Sequence, residues 1–165
     1  MKVAYIGNYQ CHGDAIANIG TTMSYLISNF IHVSSVDVYC PYREISCCKE
    51  VELKKVRIKK QYNKEISWSI LKLFTVKWNE YNFIVINSLP TSYGRGSLIN
   101  FFGMLLPLFI VRLKRGKVAL IYHNSTLTND TVKLGYSGII NGFKRILLRK
   151  VEILTDSYLK NILIN

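Results

Sequence analysis

The segment VAYIGN, residues 3–8, decides the fold. Apolar residues run without a break from Val3 to Ile6, and the Gly7-Asn8 pair ends the run. A short continuous apolar run that stops at a turn signal is typical of a parallel strand buried on both faces. The sequence therefore predicts a central parallel strand at the start of the chain, followed by a loop.

Similar apolar runs recur along the chain and alternate with segments that have helical spacing. The predicted strands are Val3–Ile6, Val36–Tyr39 (stopped by Pro41), Val51–Ile58 (an edge or bulged strand), Phe83–Ile86, Val118–Tyr122 and Glu152–Leu154. The predicted helices run from an Asn18 cap to Phe30, over Ile66–Trp78, Leu98–Leu113 and Ile139–Leu148, and from Asp156 as a cap to the terminus. Strands that alternate with helices need crossover connections. We therefore expect an α/β fold: a single Rossmann-like, doubly wound domain over residues 1–165, with a mostly parallel sheet of about six or seven strands flanked by helices.

The charge of the chain points to an anionic partner. Basic residues number 22 and acidic residues 10, which gives a net charge of +12. Phosphate groups, nucleic acid and an acidic membrane surface all satisfy such a bias. No nucleic-acid-binding motif occurs, so we expect no nucleic acid.

The start of the chain and its cysteines indicate a cytoplasmic protein. The apolar run after Lys2 is far shorter than the core of a secretory signal. The four cysteines are Cys11, Cys40, Cys47 and Cys48. None forms a CxxC pair, and we expect free thiols and no metal. A zinc site from Cys11, His12 and the Cys47-Cys48 pair is the alternative.

One segment, Leu98–Leu113, is almost entirely apolar and is closed by basic residues. A membrane-spanning helix needs roughly 20 apolar residues, so this one is too short, and Pro107 weakens it further. It predicts a buried or membrane-facing helix. The basic residues after it and in the next helix are Lys114, Arg115, Lys117, Lys144, Arg145, Arg149 and Lys150. With the apolar segment they suit an anionic bilayer, and a buried helix with a solvated basic end explains them equally well.

Ligands of parallel sheets bind beyond the carboxyl ends of the strands. The candidate loops are therefore Gly7–Asn18, Asn87–Gly96, His123–Asn129 and Asp156-Ser157. Their polar residues Asn8, His12, Asn18, Arg95, Asn124 and Ser157 are the expected substrate contacts.

Two phosphate-binding motifs are absent from the first loop. A dinucleotide fingerprint requires GxGxxG after the first strand, where this chain has Gly7-Asn8-Tyr9. A Walker loop requires GxxxxGK[ST], and here Asp14 stands where the lysine belongs. We therefore expect neither NAD binding nor a P-loop nucleotidase.

Two titratable residues are the candidates for catalysis. His123 follows a buried strand, where an imidazole can donate a hydrogen bond to a sugar hydroxyl or to developing phosphate charge. It can equally be held by backbone groups. Asp14, the acid of the first loop, can act as a base or bind a hydroxyl, or it can be a solvated turn residue.

Three segments together resemble the amino-terminal domain of GT-B-fold glycosyltransferases, especially family 4. The opening MKVAYIG, with IGTTMSYLISNF after its loop, resembles the first strand, loop and helix of that domain. KVALIYHNS resembles the strand that presents a histidine to the cleft, and VEILTDSYLKNILIN resembles the segment before the crossover to the second domain.

The resemblance implies transfer of a sugar from a nucleotide-sugar to an acceptor, without a metal or any cofactor beyond that co-substrate. The amino-terminal domain binds the acceptor, which includes lipid-linked ones. His123 would match the histidine that positions the reacting sugar, and Asp14 would lie in the acceptor loop. Domains of this family often contact lipid, which implies a place at the inner face of the membrane.

Two departures from the family pattern shape the expected function. Ala17-Asn18 stands where the family often has a Gly-Gly pair, and no donor-binding second domain lies within the 165 residues. We therefore expect an acceptor-binding half that is incomplete on its own: either a separate donor-binding subunit completes it, or it is a truncated and inactive remnant. The alternatives are a non-catalytic binding or membrane-docking module on the same fold, and a flavodoxin-like domain that binds a small molecule.

Overall fold

In the computed structural model, strands and helices alternate along the chain. The structure describes residues 1–9, 15–42, 55–63, 69–88, 97–114, 117–122 and 139–163. The elements are β1 (Lys2–Ile6), α1 (Ala15–Asn29), β2 (Ser35–Tyr42), β3 (Val56–Asn63), two 3₁₀ segments (Ser69–Thr75 and Trp78–Glu80), β4 (Phe83–Ser88), α2 (Ser97–Lys114), β5 (Val118–Tyr122) and α3 (Ile139–Leu163).

The five strands form one sheet in the order β3-β2-β1-β4-β5, and all four pairings are parallel. This confirms the predicted α/β, Rossmann-like fold with a parallel sheet and with β3 at an edge. The predicted number of strands, six or seven, is not confirmed, because the described residues contain five.

The direction of each crossover decides which face of the sheet a helix covers. The chain steps from β1 through β2 to β3 in one direction, and then from β3 back to β4 and on to β5 in the other. Right-handed crossovers in opposite directions lie on opposite faces. Accordingly α1 covers one face of the sheet, and the 3₁₀ segments and α2 cover the other face. α3 lies on the same side of the sheet as α2 and packs against it.

The first strand is buried on both of these faces, as its sequence predicted. Val3 and Tyr5 belong to the cluster under α1, and Ala4 and Ile6 belong to the cluster under α2. Each of the four is at most 1% exposed. A strand with a paired neighbour on each side and a helical layer on each face has no place for polar interruptions.

The predicted strand Glu152–Leu154 is wrong, because these residues lie inside the continuous helix α3. The buried residues of this region are Leu148, Val151, Glu152 and Thr155. Their spacing of three and four places them on one side of a helix, and a three-residue apolar run is too short to outweigh that period. Asp156 therefore lies in the middle of α3 and caps no helix.

Four predicted boundaries also differ from the structure. The strand predicted over Val51–Ile58 ends at Asn63 and not at Ile58. Pro41 does not stop β2, which continues to Tyr42 across a register shift in its pairing with β3. Such an irregularity accommodates the missing N–H of proline. α1 begins at Ala15, so Asn18 lies in its first turn and is not its cap. The single helix predicted over Ile66–Trp78 is replaced by the two 3₁₀ segments within the described part of that range.

The apolar segment that forms α2 is a core helix. Five of its residues are buried in the cluster on the α2 face of the sheet: Ile99, Met104, Leu106, Ile110 and Val111. Pro107 lies inside the helix and is itself buried. Within the described residues, no helix is both long and apolar enough to cross a membrane.

A buried carboxylate ties β2 to its neighbours on the α2 face. Asp37 is 2% exposed, and its Oδ1 accepts a 2.8 Å hydrogen bond from Nε of Arg57. Its Oδ2 accepts a 2.8 Å bond from the hydroxyl of Tyr81, which lies 2.6 Å from the hydroxyl of Tyr39. Because the one hydrogen of Tyr81 goes to Asp37, Tyr39 is the donor of that second bond. Burial is the main reason why the pKa values of Tyr39 and Tyr81 are raised.

We predict that Asp37→Ala lowers the free energy of unfolding by about 3 kcal/mol, because it removes the carboxylate that accepts hydrogen bonds from the buried hydroxyl of Tyr81 and from Arg57. Urea unfolding followed by circular dichroism measures the change. Glu80→Ala is the control, since its exposed carboxylate lies 3.6 Å from Nζ of Lys2 and such a pair contributes at most about 1 kcal/mol. Equal losses in the two variants would contradict the structural role of Asp37.

Candidate functional site

The order of the strands creates a switch point between β1 and β4. The chain leaves β1 toward the face covered by α1, and it leaves β4 toward the face covered by α2. In open parallel sheets, ligands bind at the carboxyl ends of the two strands where this reversal occurs. We define the switch point by its described residues, which are Gly7, Asn8 and Tyr9 after β1 and Asn87 near the end of β4.

A buried amide is the main chemical feature of the switch point. The side chain of Asn87 is 2% exposed, and its Nδ2 donates a 2.7 Å hydrogen bond to the hydroxyl of Tyr5. No donor among the described residues reaches its Oδ1. Because a phenol both donates and accepts, turning the amide over would satisfy the oxygen and strand the nitrogen. In either orientation one polar atom of this amide lacks a partner in the described chain.

The phenol beside this amide stays protonated at physiological pH. Burial raises the pKa of Tyr5 to about 12, although the hydrogen bond from Asn87 opposes the shift. Burial also raises the pKa of Tyr9, followed by a smaller contribution from Cys40. Asn87 and these two phenols therefore supply neutral hydrogen-bonding groups.

Two glycines allow the backbone to close around this amide. Gly7 has φ of +155°, and a Cβ there would lie 2.8 Å from Cβ of Asn87. A Cβ on Gly20 would overlap the carbonyl oxygen of Asn8 and lie 2.8 Å from the hydroxyl of Tyr5. Real Cβ atoms do not approach other atoms so closely, so α1 lies against the end of β1 only because residue 20 has no side chain.

The described switch point offers no charged group to a phosphate. None of its four residues is ionised at neutral pH, and the backbone N–H of Gly7 is already bonded to the carbonyl of Tyr39 at 3.1 Å. Within the described ranges, no group of three or more His, Cys, Asp or Glu side chains is arranged to hold a metal. Cys40 is a buried free thiol.

One basic residue in the last turn of α2 has a structural role. Nζ of Lys114 donates a 2.6 Å hydrogen bond to the carbonyl of Tyr81 and lies 3.5 Å from that of Asn79. Desolvation, and then the charge of Lys117, lower the pKa of Lys114. This ammonium therefore helps to hold the end of α2 against the segment before β4.

The structure places three of the predicted site residues. Asn8 lies at the switch point and is 1% exposed. Asn18 is exposed in the first turn of α1. Ser157 is exposed on α3, and the strand that was expected to deliver it to the site does not exist. The other predicted site residues, His12, Asp14, Arg95, His123 and Asn124, lie outside the described residues.

Sequence reasoning missed the roles of Tyr5, Gly20 and Asn87. Tyr5 counted as one more apolar residue of its strand, although it carries the only hydroxyl in the run from Val3 to Ile6. Asn87 follows a run of four apolar residues, which was the available signal for a functional amide at a strand end. Nothing local to Gly20 indicates a contact with Asn8, since that contact depends on how α1 packs.

An apolar groove lies at the opposite edge of the sheet. It has a volume of about 350 Å³ and is bounded by the starts of β1 and β4 and by the end of α1. Its lining residues are Met1, Val3, Ile27, Phe30, His32, Val33, Phe83 and Val85. The groove is at the amino-terminal ends of the parallel strands, whereas the switch point is at their carboxyl-terminal ends, so the two are remote from each other.

Comparisons of the chain with protein-family models, with curated proteins and with solved structures gave no match.

We predict that Gly20→Ala lowers the free energy of unfolding by about 2–3 kcal/mol, because the added methyl group forces α1 away from the carbonyl of Asn8. The control is Gly142→Ala in α3, where a Cβ would meet nothing within 4 Å. The better helix propensity of alanine should raise the stability of this control by about 0.5–1 kcal/mol. Urea unfolding compares the two variants, and a Gly20→Ala protein as stable as the wild type would contradict the close approach.

Proposed function

We propose that this chain is the acceptor-binding half of a GT-B-type glycosyltransferase. It acts with a donor-binding domain to transfer a sugar from a nucleotide-sugar to an acceptor hydroxyl, without a metal. The observation that carries the proposal is the buried amide of Asn87, whose Oδ1 has no partner in the described chain, at the switch point of a Rossmann-like sheet.

The chemistry of the switch point suits a neutral, hydroxyl-rich ligand. An unpartnered amide atom that is 2% exposed costs free energy, and a ligand hydroxyl would remove that cost. Sugar hydroxyls both donate and accept, so they fit the amide in either orientation. The hydrogen bond to the hydroxyl of Tyr5 fixes the position of the amide.

The same groups favour the acceptor over the nucleotide-sugar donor. A diphosphate is bound by cationic side chains or by free backbone N–H groups. The described switch point has no cationic side chain, and the N–H of Gly7 is bonded to Tyr39. We therefore propose that the donor is held by the partner domain and that this half orients the acceptor.

The proposed catalytic groups follow from the family resemblance. His123 comes directly after Tyr122, the last residue of β5, and β5 pairs with β4 beside the switch point. There it would stabilise the charge that develops on the reacting sugar, while Asp14 would accept the proton of the acceptor hydroxyl. Neither residue lies in the described part of the chain.

We predict that the isolated chain binds neutral saccharide acceptors and does not bind nucleotide-sugars. Isothermal titration with a panel of short oligosaccharides, lipid-linked sugars in detergent and nucleotide-sugars tests this expectation. The double variant Tyr5→Phe with Asn87→Leu should weaken acceptor binding at least about tenfold, since it removes a buried hydrogen-bonding amide.

The double variant should fold normally, so a loss of acceptor binding would not result from unfolding. Replacing both partners of a buried hydrogen bond with apolar groups of similar shape is nearly neutral, so its free energy of unfolding should stay within about 1 kcal/mol of the wild type. Asn29→Leu removes an exposed amide at the end of α1 and should leave binding unchanged. Tight binding of a nucleotide-sugar to the chain alone, or full acceptor binding by the double variant, would contradict the proposal.

A further inference from the structure

The outer side of α3 carries an exposed apolar stripe. Phe143, Ile146, Leu147, Ile153 and Leu154 are 70%, 55%, 38%, 54% and 50% exposed. At 3.6 residues per turn these five positions fall within about 120° of the helix circumference. Isolated exposed apolar residues are ordinary, but a contiguous stripe over three turns of one helix marks a surface that binds something.

This stripe is distinct from the side of α3 that packs in the protein. Leu148, Val151, Glu152 and Thr155 are buried on the opposite side, which packs against α2. The hydroxyl of Thr155 donates a 2.7 Å hydrogen bond to the carbonyl of Val151, so it is satisfied within the helix. α3 therefore has one apolar side for the core and a second one that faces solvent.

Basic residues accompany the outer stripe. Lys150 is exposed at the middle of its arc, and Arg149 is exposed beside it. The chain as a whole carries a net charge of +12.

We propose that the outer stripe of α3 docks the protein on an anionic lipid bilayer. The helix lies parallel to the membrane, with the five apolar side chains at the boundary between headgroups and acyl chains and with Lys150 and Arg149 at the level of the lipid phosphates. The long stem of Lys150 lies along the apolar surface while its ammonium reaches the headgroups. Each such cation near an anionic membrane contributes about 1 kcal/mol.

The central position of Lys150 favours lipid over a protein partner. In a protein interface, the middle of an apolar patch is the part that loses water completely, and an ammonium there needs a buried carboxylate from the partner. At a bilayer surface the same ammonium keeps contact with water and phosphate. The membrane alternative that the sequence allowed for the α2 segment thus moves to α3, since the inner residues of α2 are buried.

Co-sedimentation of the full chain with vesicles tests this proposal. Vesicles of phosphatidylcholine with phosphatidylserine should bind the protein, and vesicles of phosphatidylcholine alone should bind it weakly. Phe143→Ser with Ile146→Ser should weaken binding at least about tenfold, because two exposed apolar side chains no longer enter the lipid. Lys150→Glu should weaken it at least about fivefold and reduce its dependence on salt.

Matched variants elsewhere on the surface separate the stripe from general stickiness. Phe30→Ser with Ile31→Ser removes the same two residue types, 65% and 89% exposed, at the end of α1. Lys72→Glu reverses an exposed charge on the first 3₁₀ segment. Both controls should bind vesicles like the wild type.

Three results would overturn the proposal. The first is equal binding to neutral and anionic vesicles, and the second is equal loss of binding in the stripe variants and their controls. The third is a dimer in size-exclusion chromatography that Phe143→Ser with Ile146→Ser converts to monomer, since the stripe would then join two copies of the chain. None of these outcomes depends on the saccharide site, because the stripe and the switch point lie on different elements.

Discussion

The contact between α1 and the end of β1 is the constraint on which the candidate site depends. Gly20 lets the helix lie against the carbonyl of Asn8 and over the hydroxyl of Tyr5, and Gly7 lets the backbone pass close to Asn87. With Tyr5 covered, its phenol stays neutral and holds the amide of Asn87 in a fixed place. A side chain at either glycine would separate the elements that hold the amide in place.

Much of the fold followed from the sequence, because buried strands have a strong local signal. Val3–Ile6, Phe83–Ile86 and Val118–Tyr122 are continuous apolar runs, and all three became neighbouring parallel strands. Glu152–Leu154 carried no such signal, and the helical spacing from Leu148 to Thr155 decided its structure. The site was harder to predict, since the roles of Gly20 and Tyr5 arise from packing between elements distant in sequence. Asn87 marked the right edge of the sheet, but only the structure shows that its amide is buried and half satisfied.

The two longest helices of the described chain, α2 and α3, differ in how their apolar residues are placed. α2 is the more apolar in sequence, and its inner residues are in the core. α3 looks ordinary in sequence, and it exposes a second apolar side with cations along it. A helix on the edge of the fold is free to present such a side, whereas a crossover helix between β4 and β5 must pack against the sheet.

An NMR titration that follows the side-chain amide of Asn87 is the most direct test of whether this amide contacts a saccharide acceptor at the switch point. Addition of a short oligosaccharide acceptor should shift the Asn87 side-chain NH₂ resonances together with the backbone amides of Gly7 and Asn8. Unchanged Asn87, Gly7 and Asn8 resonances would contradict a saccharide site at the switch point. So would shifts confined to resonances of the distant apolar groove, such as those of Val3 and Phe83.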